Sequence, residues 1–205
     1  MAAAGRDDGA ADGQDDRQQQ VQVAGRARTA AEYRQDMDSL DLLRDLTSRP
    51  RDVAEHLRHQ LNPVSLNARP GGHPNSVAWL LWHAGREIDA QLADLAGTEQ
   101  VWTADGFDQR FELGEVGDTV GYGHTPAEAR RIIIEDGAGL LDYVHATLAA
   151  MDSYLDTLSA ADLEDIVDEQ WDPPVSRGAR LLSIVDDAIQ HLAQAAYVLG
   201  MPLGE

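Results

Sequence analysis

The 205 residues, 43% of them hydrophobic, are enough to core one domain with a tail, and too few to suggest two independent enzymatic domains. No cysteine is present and all 16 basic residues are arginine, which excludes disulfides, thiolate metal sites, a cysteine nucleophile and a lysine Schiff base on this chain. A formal net charge of −20 repels nucleic-acid phosphates and anionic membrane surfaces, so neither is an expected partner.

No apolar run approaches the ~20 residues of a membrane-spanning helix, and the N-terminal stretch has no secretory signature, so the expected location is the cytoplasm. Residues 1–30 are rich in Ala, Gly, Asp, Gln and Arg without an apolar period; they read as a disordered polar tail. Residues 31–205 read as a single all-α domain.

The first helix of that domain falls within 30–60, where Leu40, Leu43 and Leu46, then Val53, Leu57 and Leu61, form helical stripes. Pro50 between them is expected to kink or split the element. Residues 62–75, with three prolines and two glycines, read as a loop. A second helix runs from about Ser76 to Ala96 and stops at Gly97; its stripe is Val77, Leu80, Leu81, Ala84, Ile88, Leu92 and Leu95. The link 98–124 is long for a compact domain and ends in Gly121-Tyr122-Gly123-His124. Thr125-Pro126-Ala127-Glu128 carries the signals of a helix start, and a third helix is expected from there to about Leu158. A fourth runs from about Arg177 to Leu199. No strand is expected. Four amphipathic helices joined by two short links and one long one describe a four-helix bundle, an architecture that places metal and ligand sites on facing helices.

Asp187 and His191 stand four residues apart on the fourth helix and so project from one side, one turn apart. With His83 from the second helix they would supply two imidazoles and a carboxylate, a set that suits Zn²⁺ with an open position, or Ni²⁺, Fe²⁺ or Mn²⁺. Spacing alone favours the plainer reading of a solvated surface pair, and a lone flank histidine is more often structural. Asp52, His56 and His59 have similar spacing but lie among Arg51, Glu55 and Arg58, and read as a charged surface. His145 reads as polar surface, and His73 as a loop residue.

The segment Asn75-Ser76-Val77-Ala78-Trp79-Leu80-Leu81-Trp82-His83 resembles the second-helix signature of the DinB/YfiT-like superfamily. Asp187-Ala188-Ile189-Gln190-His191, with Gln194-Ala195-Ala196-Tyr197 and Gly200, resembles its fourth-helix signature. Val101-Trp102, Gly121 to Thr125 and Trp171 to Val175 look like connecting segments of an actinobacterial branch. The resemblance covers about 38–203. It implies a four-helix bundle with a long second connection, a frequent homodimer, and a metal held at the positions of His83, Asp187 and His191. The commonest set in the family is three histidines; the carboxylate at Asp187 departs from it and is similar to the His, Glu, His set of mycothiol-dependent maleylpyruvate isomerases.

The resemblance implies a metal-assisted S-transferase or isomerase acting on a small molecule, with a low-molecular-weight thiol such as mycothiol as cosubstrate. Trp79, Tyr122 and His124 are candidates to wall the pocket or donate a proton, and Gln194 to orient a ligand, though each also has a packing role open to it. Two alternatives stand beside this: a metal-dependent hydrolase with Glu87 as base, and a non-catalytic bundle serving as a dimer or small-ligand scaffold.

Overall fold

The computed structural model describes residues 37–201. The expected tail at 1–30 lies outside them. Helix α1 (Ser39–Leu57) begins where the Asp38 side chain accepts the Asp41 N–H at 2.9 Å, and it buries Leu40, Leu43, Thr47, Pro50, Ala54 and Leu57 along one stripe. Of the two outcomes expected at Pro50, a kink or a split, the split does not occur. The proline removes one helical hydrogen bond, but it sits on the buried stripe, where packing holds the helix through the defect.

The stretch expected as a loop contains one helical turn, α2 (Pro63–Asn67), closed by a reciprocal cap between Asn62 and Ser65. Helix α3 (Val77–Ala96) has the expected ends: Ser76 Oγ accepts the Trp79 N–H, and Gly97 takes a left-handed conformation at φ 65°. The long link then folds into two short helices, α4 (Val101–Ala104) and α5 (Phe107–Phe111).

The helix start at Thr125 is real but short-lived. The capping box of Thr125 and Glu128 opens α6 (Pro126–Ala129), and the chain leaves the helix there. Ile132 and Ile134 are buried while Ile133 is exposed, the alternation of an extended segment. Asn67 fixes that segment by donating to the Ile134 carbonyl at 2.8 Å and accepting its N–H at 3.3 Å. Asp136 then caps α7 (Gly137–Leu155). The expected single helix over 126–158 is therefore two elements, because β-branched packing and a side-chain clamp outcompete local propensity.

A two-stranded antiparallel ribbon, β1 (Ile166–Asp168) with β2 (Val175–Ser176), precedes α8 (Arg177–Leu199). It corrects the expectation of no strand. The links on either side of the bundle also prove to carry structure of their own rather than being short turns. The four long helices α1, α3, α7 and α8 form the expected bundle: α7 and α8 each pack against both α1 and α3. Among the described residues no helix is long and apolar enough to cross a membrane.

One buried polar cluster fixes the long link to the bundle. Arg86 and Asp89 on α3 are 2% and 3% exposed. Asp89 accepts the backbone N–H groups of Val101 at 2.7 Å and Trp102 at 2.8 Å, and the Tyr143 hydroxyl at 3.0 Å. Arg86 donates to the carbonyls of Thr119 at 3.0 Å and Asp118 at 3.1 Å, lies 5.1 Å over the Trp102 ring, and stands 3.4 Å from Asp89. Gly85 permits this packing, since a Cβ there would meet the Tyr143 ring at 2.6 Å. Removing one partner leaves a charge buried alone, which costs about 3–5 kcal/mol. Asp89→Ala is expected to lose stability of that order in urea denaturation, and to release the amides of Val101 and Trp102 to hydrogen exchange before the bundle opens.

Candidate metal centre

Helix α3 carries His83 and α8 carries Asp187 and His191. The two helices run antiparallel in contact, so that His83 meets His191 near one end while Gln91 meets Arg180 further along. The imidazoles of His83 and His191 are 4.5 Å apart between centroids and near-perpendicular at 72°. One ligand atom from each of His83, Asp187 and His191 lies within 4.8 Å of the others. It is the single such cluster of His, Cys, Asp or Glu among the described residues. The solvated pair that spacing alone favoured is thus a three-residue cluster between helices.

Both rings are oriented by their second nitrogen. His83 Nδ1 is 2.5 Å from the Val120 carbonyl, and His191 Nδ1 is 3.0 Å from Gln194 Oε1. With each Nδ1–H donated to an oxygen, each Nε2 keeps its lone pair for the space between the helices, the arrangement by which ligating histidines are held. Asp187 places Oδ1 3.4 Å from His191 Nε2, while its Oδ2 is buried without a hydrogen-bond partner. A buried carboxylate oxygen left orphaned is costly unless something fills the space it faces. Two neutral imidazoles, one carboxylate and that orphaned oxygen fit a borderline divalent cation.

Burial pushes the His83 imidazole below its ordinary range, opposed by the Val120 carbonyl and reinforced by His191. For His191 burial acts in the same downward direction, but the hydrogen bond and charge of Asp187, with Gln194, outweigh it and raise the group. The Asp187 carboxylate therefore favours the protonated form of His191 more than water does, so protons compete with a cation at this nitrogen more strongly than at a free imidazole.

The loop bearing Val120 approaches α3 closely because Gly121 has no side chain. At its φ of 90° a Cβ would fall 2.8 Å from His83 Nδ1, 2.9 Å from the Trp82 ring and 3.2 Å from the Trp79 ring. Trp79 is 6% exposed and stacks on His83 at 4.5 Å and 24°. Its Nε1–H donates to His124 Nδ1 at 3.3 Å, and His124 Nε2 meets Thr119 Oγ1 at 2.8 Å. Thr119 Oγ1 donates onward to the Val116 carbonyl, which makes His124 Nε2 the donor to it. Both nitrogens of His124 are thus engaged, one by Trp79 on α3 and one within the loop, and burial lowers its pKa; the residue braces Trp79.

Of the other expected pocket residues, Tyr122 is 89% exposed and turns to solvent. Gln194 is exposed and holds His191. Glu87, half-buried one turn beyond His83, is pushed upward by burial and by the Asp187 charge, while Gln91 donates to its Oε2 at 2.9 Å. Asp52, His56 and His59 are exposed, as expected, and His56 Nδ1 meets the Asp52 carbonyl at 2.6 Å. His145 differs from expectation: it is half-buried 3.9 Å from Glu55 across the α1–α7 contact, with Nε2 lacking a hydrogen-bond partner. His73 accepts the Asn75 N–H at 3.2 Å. The Val120 carbonyl, Gln91 and Arg180 were not anticipated. A backbone acceptor leaves no side-chain signature, and the Gly121 that admits it was visible only as part of a glycine-rich loop.

A four-helix bundle with two imidazoles and a carboxylate converging from facing helices defines a class of helical proteins with a candidate cation site. The chain belongs to the DinB superfamily, whose family model matches residues 45–195 and so takes in all three side chains. It is also similar to a solved conserved protein from Enterococcus faecalis, with 33% identity and a TM-score of 0.73, over 80% of this chain and 96% of that one. No functionally curated protein matches it.

Two outcomes follow from this geometry. Gly121→Ala should lift the loop from His83 and weaken Zn²⁺ affinity about 10- to 100-fold, the usual cost of losing a ligand's orienting partner, read by competition with a chromophoric chelator. Because His191 is raised, its proton competes with a cation below that raised pKa, and apparent affinity should fall about tenfold per pH unit there. Asp187→Gln removes the carboxylate that raises His191, so the onset of proton competition should move to lower pH while affinity falls overall.

Proposed function

We propose that the protein is a metal-dependent S-transferase or isomerase that uses a low-molecular-weight thiol of the mycothiol type, with His83, Asp187 and His191 holding one divalent cation, most simply Zn²⁺. The observation that carries this reading is the convergence of one ligand atom from each of His83, Asp187 and His191 within 4.8 Å, with both imidazoles oriented through Nδ1. When bound, the cation supplies a coordination position that favours the thiolate form of a sulfur ligand. The chain has no cysteine, so any sulfur nucleophile comes from a cosubstrate.

The protein's own groups have separable tasks. His83 and His191 bind through Nε2, held by the Val120 carbonyl and by Gln194. Trp79 forms an apolar wall against His83 that keeps water from one side of the site. Glu87, raised by burial and by Asp187, is suited to take the thiol proton: the S–H bond breaks to its carboxylate, the sulfur bonds to an electrophilic carbon, and the proton returns to the displaced or newly formed anionic group.

The position of Glu87 also supports a second reading, hydrolysis of an ester or amide, with the same carboxylate accepting a proton from water. Metal analysis of the purified protein, followed by electrophile turnover with and without mycothiol, separates the readings. One divalent cation per chain, lost in His83→Ala and His191→Ala, with turnover only in the presence of thiol, is expected. Glu87→Gln should retain the cation and lower kcat about 10²- to 10⁴-fold. Turnover without thiol would move the assignment to hydrolysis, and a protein that takes up no cation would leave a non-catalytic scaffold.

A further inference from the structure

A chain of hydrogen bonds joins Glu87 to the β-ribbon. Glu87, on α3, feels the charges of Asp187 and His191; burial first, and then the Asp187 charge, favour its protonated form. Against them stands Gln91, one turn further along α3. Its Nε2 donates to Glu87 Oε2 at 2.9 Å and to the Glu87 carbonyl at 3.3 Å, and its Oε1 accepts from Arg180 Nη1 of α8 at 3.4 Å. Arg180 Nη2 donates in turn to Asp168 Oδ2 of β1 at 2.8 Å, and Asp168 Oδ1 accepts the Gln170 N–H at 3.0 Å. The arginine and aspartate side chains are 26% and 21% exposed, so the pair lies largely out of water.

The middle link is the one that can point either way. A primary amide keeps nearly the same shape after a half-turn about its last bond, so its neighbours decide which end faces which group. A carboxylate is met only by the N–H end, whereas a protonated carboxyl can donate to the C=O end. By itself Glu87 therefore accepts either orientation of Gln91, changing its own protonation to match. A guanidinium has donors and no acceptor. With Arg180 on the far side of the amide, Gln91 Oε1 is committed to the arginine and Nε2 is turned to Glu87. Glu87 Oε1 engages no hydrogen bond among the described residues and stays available to a reacting proton.

We propose that Arg180 is a positioning residue for Glu87: through the Gln91 amide it fixes the carboxylate with Oε2 bound and Oε1 free to accept a proton, and Asp168 of the ribbon fixes Arg180. The inference rests on Glu87 serving as the base in the function proposed above, but the arrangement of the amide can be tested apart from that reading. A simple fastening of the ribbon to the bundle needs the Arg180–Asp168 pair alone; it does not require the arginine to reach the amide that holds Glu87.

The full chain, without added metal or thiol, is observed by NMR through the side-chain amide of Gln91, whose resonances are identified by their loss in Gln91→Met. In Arg180→Met the two Nε2 hydrogens should move toward the shifts of a free glutamine amide and exchange with water about tenfold faster, and the Glu87 carboxyl carbon should shift with them. Arg180→Met/Asp168→Asn, which leaves no lone buried charge, should show the same changes even where the single variant is too unstable to study. Gln91 hydrogens that stay put in both variants would overturn the proposal, since a mere fastening disturbs only ribbon amides such as that of Gln170. In turnover with thiol, Arg180→Met should lower kcat about tenfold with KM and bound cation unchanged, and should cost nothing further in a Glu87→Gln background. A loss that persists in that background means the arginine acts by another route, and the proposal falls. A wild-type chain inert with mycothiol would remove the thiol reading, and the amide measurement then decides the role of Arg180 by itself.

Discussion

The candidate centre depends on the connection 98–124 being pressed against α3, and the force that presses it is electrostatic. Burying a guanidinium and a carboxylate costs several kcal/mol per ion unless every remaining donor and acceptor finds a partner. Asp89 meets that condition with two backbone N–H groups and a tyrosine hydroxyl, and Arg86 with two carbonyls and the face of Trp102. The partners of Asp89 lie at the beginning of the connection and those of Arg86 near its end. A pair three residues apart on one rigid helix thereby fixes the path of more than twenty residues, and Val120, the next residue after Thr119, is delivered to His83. The orientation of His83 is thus a consequence of packing three to six residues away on the same helix.

The three cluster residues differ in ways that serve one another. His83 is nearly inaccessible, and burial lowers its pKa; His191 is better solvated, and Asp187 raises its pKa. Asp187 meets His191 through Oδ1, while its Oδ2 is buried without a hydrogen-bond partner. The shorter reach of aspartate compared with glutamate is offset by close helix packing. Ile184 and Ala188, on either side of Asp187, are fully buried, which holds the α8 backbone close to the bundle interior. A carboxylate on a short arm needs its helix near, and here it is.

How far the sequence could be read follows from the range of each interaction. Both ends of α3, the Thr125–Glu128 cap and the start of α8 were legible because each is set by residues within one turn. The pairing of Asp187 with His191 was legible for the same reason, and His83 joined it through resemblance to a family signature. What could not be read depends on partners distant in sequence. Asn67 ends a helix at Ile134, burial carries α1 through Pro50, and β1 finds β2 across a link whose composition gave no alternation. His145 was read as surface because nothing local says that α1 covers it. Tyr122 and His124, two residues apart in a conspicuous motif, carry the same expectation, yet one turns outward and the other is consumed as a brace.

That division between local and distant determinants bears on how chemistry is assigned in such a bundle. A helix pair offers ligand positions at every turn, so three residues at suitable spacing mean little until something fixes their rings. Here the fixing comes from a backbone carbonyl in a loop, a glutamine one turn away and an indole stacked on the buried imidazole. None of these groups carries reactivity of its own. Each removes rotational freedom from a side chain before any ligand arrives, so the entropic cost of ordering the site is met largely by folding. Exchanging the loop while keeping His83, Asp187 and His191 would preserve the composition of the candidate site and lose its preorganisation; for that reason the connection shapes the candidate site as much as the three residues themselves do.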